Sequence, residues 1–115
     1  MLTIYEVGPR DGLQNWEYSL TTDEKVAMIE SLHGAGLKNI EITSFVHPKI
    51  VPNLADAEEV VKRTKNLGEF GVLVPNLKGF KRAEGVGVTQ FNVCFAPSEE
   101  FNMRNWKKSL NELYD

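Results

Sequence analysis

Short apolar runs alternate with amphipathic stretches along the whole chain. The first run covers residues 2–7, with Leu2, Ile4 and Glu6 on one side and Thr3, Tyr5 and Val7 on the other, which predicts a strand. A polar, glycine-containing loop follows to about residue 20. Thr21 and Glu24 have the spacing of a capping box, a hydroxyl at the cap and a carboxylate three residues on, so a helix starts there. Val26, Ile29 and Leu32 form its apolar stripe, and Gly34 or Gly36 stops it. A second strand is expected over 39–43, where Ile40 and Ile42 oppose Glu41 and Thr43. A second helix covers about 54–65, with Leu54, Ala57, Val60, Val61 and Thr64 at helical spacing. A third strand at 70–74 leads to a short helix marked by Leu77, Phe80 and Ala83. A fourth strand covers 90–95, and a fourth helix opens at 105–114 with Trp106, Leu110 and Leu113 as its stripe.

This alternation describes successive βαβ units and a parallel α/β sheet. Two closures satisfy it: a small open doubly wound sheet, or about four strands of a (β/α)8 barrel. Periodicity does not choose between them.

The strands end in polar residues. The first leads to Glu6, Arg10, Asp11 and Gln14, the second to Glu41, Thr43 and Ser44, the third to Asn76 and Lys78, and the fourth to Ser98 and Glu99. In both closures the carboxyl ends of parallel strands are where ligands bind. Glu41 lies inside a strand, where an unpaired carboxylate is costly to bury. Its bland explanation is an edge strand with one solvated face. A carboxylate such as Asp11 can ligate a hard divalent cation, and a neighbouring guanidinium meets developing oxyanion charge. Glu41 then orients Arg10 or holds the metal's waters. Such a site suits making or breaking a carbon–carbon bond beside a carbonyl.

Composition narrows the function classes. Thirteen Lys and Arg against sixteen Asp and Glu give a net charge of -3 over 115 residues. That is one domain's length, and a mildly acidic chain without a basic run speaks against nucleic-acid or anionic-membrane partners. No apolar stretch approaches the length of a spanning helix. The single Cys excludes an intrachain disulfide. Met1 runs straight into strand-like sequence, so no signal or transit peptide is expected and the cytoplasm is the expected setting.

The segment EVGPRDGLQN at 6–15 closely resembles the signature of the hydroxymethylglutaryl-CoA lyase family, metal-dependent TIM-barrel enzymes of an aldolase-like superfamily. The likeness continues in order through AGLKNIEITSFVHPKIVPNLAD at 35–56, VLVPNLKGF at 72–80 and APSEEFNMRN at 96–105. It implies a partial TIM (β/α)8 barrel, its N-terminal half. It also implies roles: Asp11 as a metal ligand, Arg10 as the substrate-binding arginine that steadies an enolate, and Glu41 as the glutamate beside the metal. Gln14 and Ser44 match substrate-side positions. The implied reaction is a metal-dependent (Mg or Mn) retro-Claisen cleavage of 3-hydroxy-3-methylglutaryl-CoA to acetyl-CoA and acetoacetate. Leucine degradation and ketone-body metabolism are the associated pathways. An acyl-CoA substrate is the implied partner.

The family's His-x-His metal ligands, its later Asn ligand and its catalytic Cys have no match here. Cys94 reads as a small apolar strand residue, and His33 and His47 as surface residues. One ligand does not hold a hard cation tightly, so the chain by itself is expected to be inactive. A homo-oligomer or a separate C-terminal half would complete the barrel. Two rival readings stand beside this one: a non-catalytic half-barrel that self-associates or is a truncated remnant, and a related lyase for another acyl-CoA or a 2-oxo acid. Lys78, Lys81 and Arg82 form a basic cluster that could meet CoA phosphates, although a solvated helix face explains it more simply. Trp16 either covers the site or packs beside it.

Overall fold

The computed structural model describes residues 4–14 and 16–93. The expected fourth helix, Cys94, Ser98 and Glu99 lie outside these residues. Four strands, β1 (Tyr5–Glu6), β2 (Asn39–Ser44), β3 (Gly71–Val74) and β4 (Gln90–Val93), alternate with helices α1 (Thr22–Gly34), α2 (Ala57–Thr64) and α3 (Leu77–Gly85). The strands pair in the order β1-β2-β3-β4, and every pair is parallel. A doubly wound sheet reverses its strand order at a switch point, whereas a barrel adds each strand beside the last. The sequential order therefore selects the barrel, of which these strands are four.

The core lies between the sheet and the helices. Ile40 and Ile42 of β2 and Val72 and Val74 of β3 pack with Ile29 of α1, Ala57, Val60 and Val61 of α2, and Ala83 of α3. Fully burying each of these aliphatic side chains stabilises the fold by about 1.5–3 kcal/mol relative to exposure. The α1 capping box is formed as expected. The Thr21 hydroxyl accepts from Glu24 N–H at 3.1 Å, and the Glu24 carboxylate accepts from Thr21 N–H at 3.0 Å. Gly36, with φ +100°, turns the chain out of this helix in a conformation that other residues resist.

Three local expectations need correction. The second helix starts at Ala57, not near 54, because Pro52–Leu54 forms a separate 3₁₀ turn. Leu54 is still buried, so its apolar spacing was real but belonged to that turn. Leu77 is exposed rather than part of the α3 stripe; Ala83 and Gly79 are the buried positions. Glu41 is not on an edge strand, since β2 lies between β1 and β3. Among the described residues no helix is long and apolar enough to cross a membrane.

Candidate active site

The site begins where β1 ends. Residues Gly8–Gly12 wind into a single π-helical turn, with Asp11 N–H donating to the Val7 carbonyl at 2.7 Å. Pro9 is buried beneath this turn, and it sits where its missing N–H costs nothing. The turn carries Arg10 and Asp11, and Gln14 follows one step further. Glu6 folds back to accept from Gly8 N–H at 2.8 Å, so its carboxylate shapes the start of the turn.

Arg10 reaches over β2. Its Nε donates to Glu41 Oε1, and the two form an ion pair in which the Glu41 side chain is only 6% exposed. Arg10 Nη1 donates to Asp11 Oδ1 and Gln14 Oε1, both at 3.3 Å. Among the described residues Nη2 has no hydrogen-bond partner. The other Glu41 oxygen, Oε2, accepts from Asn92 Nδ2 on β4. A buried carboxylate is tolerable because both its oxygens are occupied, one by a cation and one by an amide. The result is a guanidinium held by a partner that cannot easily move, with one nitrogen unused among the described residues.

The same face of the sheet carries Tyr5, whose hydroxyl lies 3.5 Å from Asn92 Nδ2. It also lies over Gly71, where a Cβ would collide with that hydroxyl. A side chain at position 71 would thus force the Tyr5 hydroxyl, from two strands away, to move. Pairing between β2 and β3 shifts by one residue between Glu41 and Thr43, so Glu41 faces Gly71 while Ser44 faces Leu73. Leu73 in turn faces Asn92. Paired residues point to the same side of a sheet, so the shift brings Ser44 to the face that holds Glu41 and Asn92. Ser44 is fully buried there and lies outside the hydrogen-bonded cluster of Arg10, Asp11, Gln14 and Glu41.

Asp11 is the exposed carboxylate of the site, with 66% of its side chain open. A hard cation prefers such an oxygen. Among the described residues, however, no group of three His, Cys, Asp or Glu converges into a metal site. Asp11 fits as one ligand and not as a complete site.

Several polar residues at the strand ends have structural employment. Asn76 caps α3, accepting from Gly79 N–H at 2.8 Å. Arg82 does not join Lys78 and Lys81 in an open basic cluster. It donates to both Glu58 oxygens at 2.7 and 3.0 Å and to the Val46 carbonyl, and its guanidinium covers the Phe45 ring. These bonds hold the Glu58 carboxyl below the usual carboxylate range, against the opposing effect of burial. A cavity of about 300 Å³ between Phe45, His47, Lys78 and Arg82 opens beside this pair. His47 is exposed, as expected of a surface residue, and its Nδ1 accepts from Lys49 N–H. His33 is half-buried, edge-on to Phe70. Trp16 is 45% exposed and stacks edge-on with Tyr18.

Asn92 and Tyr5 escaped the sequence reading. The signal for Asn92 was the one that exposed Glu41, a polar side chain set between apolar neighbours, here Phe91 and Val93.

The HMGL-like family model matches residues 1–115. Hydroxymethylglutaryl-CoA lyase YngG of Bacillus subtilis is 45% identical over 114 residues, covering 96% of this chain and 38% of that protein. The mitochondrial hydroxymethylglutaryl-CoA lyase of Macaca fascicularis is 44% identical over 113 residues, covering 96% of this chain and 35% of that protein. An HMG-CoA lyase structure from Acinetobacter baumannii, solved with coenzyme A and 3-methylmalate, superposes with a TM-score of 0.81 at 37% identity. That match covers 99% of this chain and 38% of the other. The chain thus spans little more than a third of the length of these relatives. With a parallel sheet in sequential order and an Arg10–Glu41 pair at its carboxyl end, this chain belongs to the HMGL-like family of lyases.

Proposed function

We propose that this chain forms the Arg10-bearing half of an active site that cleaves 3-hydroxy-3-methylglutaryl-CoA to acetyl-CoA and acetoacetate. The observation that carries the reading is the geometry of Arg10. Its Nε is committed to buried Glu41, Nη1 is shared between Asp11 and Gln14, and Nη2 is free among the described residues. A rigid guanidinium with an unused donor is suited to a substrate oxygen that gains negative charge.

In the retro-Claisen step, the tertiary hydroxyl of the substrate loses its proton and the adjacent carbon–carbon bond breaks. The electron pair moves onto the thioester carbonyl oxygen, and protonation of that enolate at carbon yields acetyl-CoA. Arg10 Nη2 binds the oxygen as its charge develops. Glu41 keeps the guanidinium oriented and, being charged, keeps it from swinging toward other anions. Gln14 and Ser44 serve the substrate side. A bound Mg or Mn would supply Lewis acidity to the substrate oxygens, with Asp11 as one ligand. With no group of three ligands converging among the described residues, the isolated chain is expected to bind such an ion weakly and not to turn over.

The remaining ligands and strands come from a C-terminal half or from another copy of the chain. Relatives carry both mitochondrial and cytoplasmic names; the cytoplasm is the setting proposed here. Leucine degradation or ketone-body metabolism is the corresponding pathway.

The test is a hybrid in which residues 1–115 replace the matching part of the Bacillus subtilis relative. With a divalent cation it should release acetyl-CoA and acetoacetate, while the 115-residue chain alone should release neither. Arg10→Met in the hybrid should lower kcat by about 10²–10³. A folded hybrid without activity, or an Arg10 variant with undiminished kcat, overturns the reading.

A further inference from the structure

The segment that bears Arg10 opens with the π-helical turn Gly8–Gly12 and continues to residue 20, where α1 is about to start. Arg10 and Asp11 N–H donate to the Val7 carbonyl, and Trp16 N–H donates to Leu13 at 3.3 Å. Its far end is held from outside. Asn53, in the turn Pro52–Leu54 after β2, donates from Nδ2 to the carbonyls of Leu13 at 3.0 Å and Trp16 at 2.7 Å. Its Oδ1 accepts from the Ser19 hydroxyl at 2.8 Å. One side-chain amide thus closes the loop at three points spread over seven residues of sequence.

Asn53 is itself fixed from behind. The buried Lys25 ammonium of α1 donates to the Asn53 carbonyl and to Asp56 Oδ1, the latter at 2.6 Å. Asp56 accepts from Thr22 through its other oxygen. This commitment also explains why Asp56 precedes α2 without capping it through its side chain. The chain of contacts runs from Thr22 and Asp56 through Lys25 and Asn53 to Leu13, Trp16 and Ser19; Leu13 closes the turn that carries Arg10 and is followed by Gln14, which accepts from Arg10 Nη1.

We propose that Asn53 is a positioning residue for Arg10. It fixes the end of the π-helical turn so that the guanidinium stays on Glu41. The proposal rests on the reading of Arg10 as the substrate-binding group. A side chain that only stabilised the fold would act on the sheet as a whole. Asn53 instead acts on one loop, through carbonyls that have no place in the sheet ladder.

The test is the solvent-exchange rate of the Arg10 Nε–H, read by NMR in the full 115-residue chain. Asn53→Asp keeps the size and the acceptor for Ser19 but removes both donated hydrogen bonds. It should speed Arg10 Nε–H exchange by about tenfold or more, the equivalent of one lost hydrogen bond. The amides of Ile40 and Val72 should keep their wild-type rates. An unchanged Arg10 rate overturns the proposal, and so does a rise shared equally by Ile40 and Val72. If Asn53→Asp does not fold, Ser19→Ala decides. It frees the amide to rotate, so it should give a smaller rise confined to the loop, and no rise at all overturns the proposal. The readout involves no substrate, so its failure leaves the lyase reading standing. An inactive hybrid, conversely, leaves this exchange result valid.

Discussion

The two faces of β2 are built on opposite principles. Ile40 and Ile42 face the helices in a layer of packed apolar side chains, and Ile40 is fully buried. Glu41, one residue away from each, is buried almost as deeply but lives entirely on directed contacts to Arg10 and Asn92. The helix face tolerates any well-packed apolar set. The other face depends on each partner being present, since removal of one leaves a buried charge exposed to nothing. Stability resides mainly on the first face, and the chemistry proposed above falls to the second.

The sharpest way to break this contrast is to cut one residue from each face. Ile40→Ala should cost about 2–4 kcal/mol, lowering the urea midpoint with little change in m-value. Hydrogen exchange at Arg10 should follow the global loss and no more. An exchange increase at Arg10 far beyond that loss would mean that the two faces are one cooperative unit.

On the second face, Glu41→Ala should cost about 2–3 kcal/mol, below the range for a fully buried pair because Arg10 is partly exposed. The double variant Arg10→Met/Glu41→Leu should recover most of this, since it removes the charges together. Denaturant unfolding of both variants decides the matter. A double variant as unstable as Glu41→Ala would show that packing, and not the orphaned charge, sets the cost.

Gly71→Ala probes how tightly the second face is closed. Its new methyl meets the Tyr5 hydroxyl, so about 1–3 kcal/mol should be lost. In a Tyr5→Phe background the penalty should shrink, because the obstructing oxygen is gone. Equal penalties in both backgrounds would place the conflict elsewhere, with Asn92 Nδ2 at 3.3 Å as the next neighbour.

The helix face was the more legible of the two. The Thr21–Glu24 box, the α1 stripe and the Ile40/Ile42 alternation are local signals, and local sequence carries them. Arg10, Asp11 and Glu41 stood out as charges beside apolar runs, and the EVGPRDGLQN resemblance assigned them roles. What stayed hidden depends on distant partners. The register shift at Glu41–Thr43 exists only against β3, and the place of Asn92 exists only because β4 lies two strands from β2. The start of α2 was misjudged for the same reason. Leu54 has helical spacing, but Asn53 and Asp56 are engaged with the loop and with α1, which leaves the intervening turn separate. Leu77 opens α3 directly after the Asn76 cap and stands on its open side, whereas Gly79 and Ala83 face inward.

The smallest effect belongs to the ion pair that ties α2 to α3 away from the site. Arg82 holds the Glu58 carboxyl below its ordinary value of 4.5, chiefly through its hydrogen bonds. The folded-state value is therefore lower than the unfolded one. Stabilisation from this pair is complete above pH 4.5 and drains away as the pH falls through the folded value. With 37% of its side chain open, Glu58 is screened by water, so its contribution is modest even at neutral pH. Glu58→Gln should lower the Tm slightly at pH 7, and the gap from wild type should close at successively lower pH values under 4.5. A gap that stays constant throughout would assign the Glu58 contribution to its packing beside Arg82 and Phe45. In that case α2 and α3 would be joined by shape, as on the helix face of β2, and the dependence on directed charge contacts would be confined to the Arg10 side of the sheet.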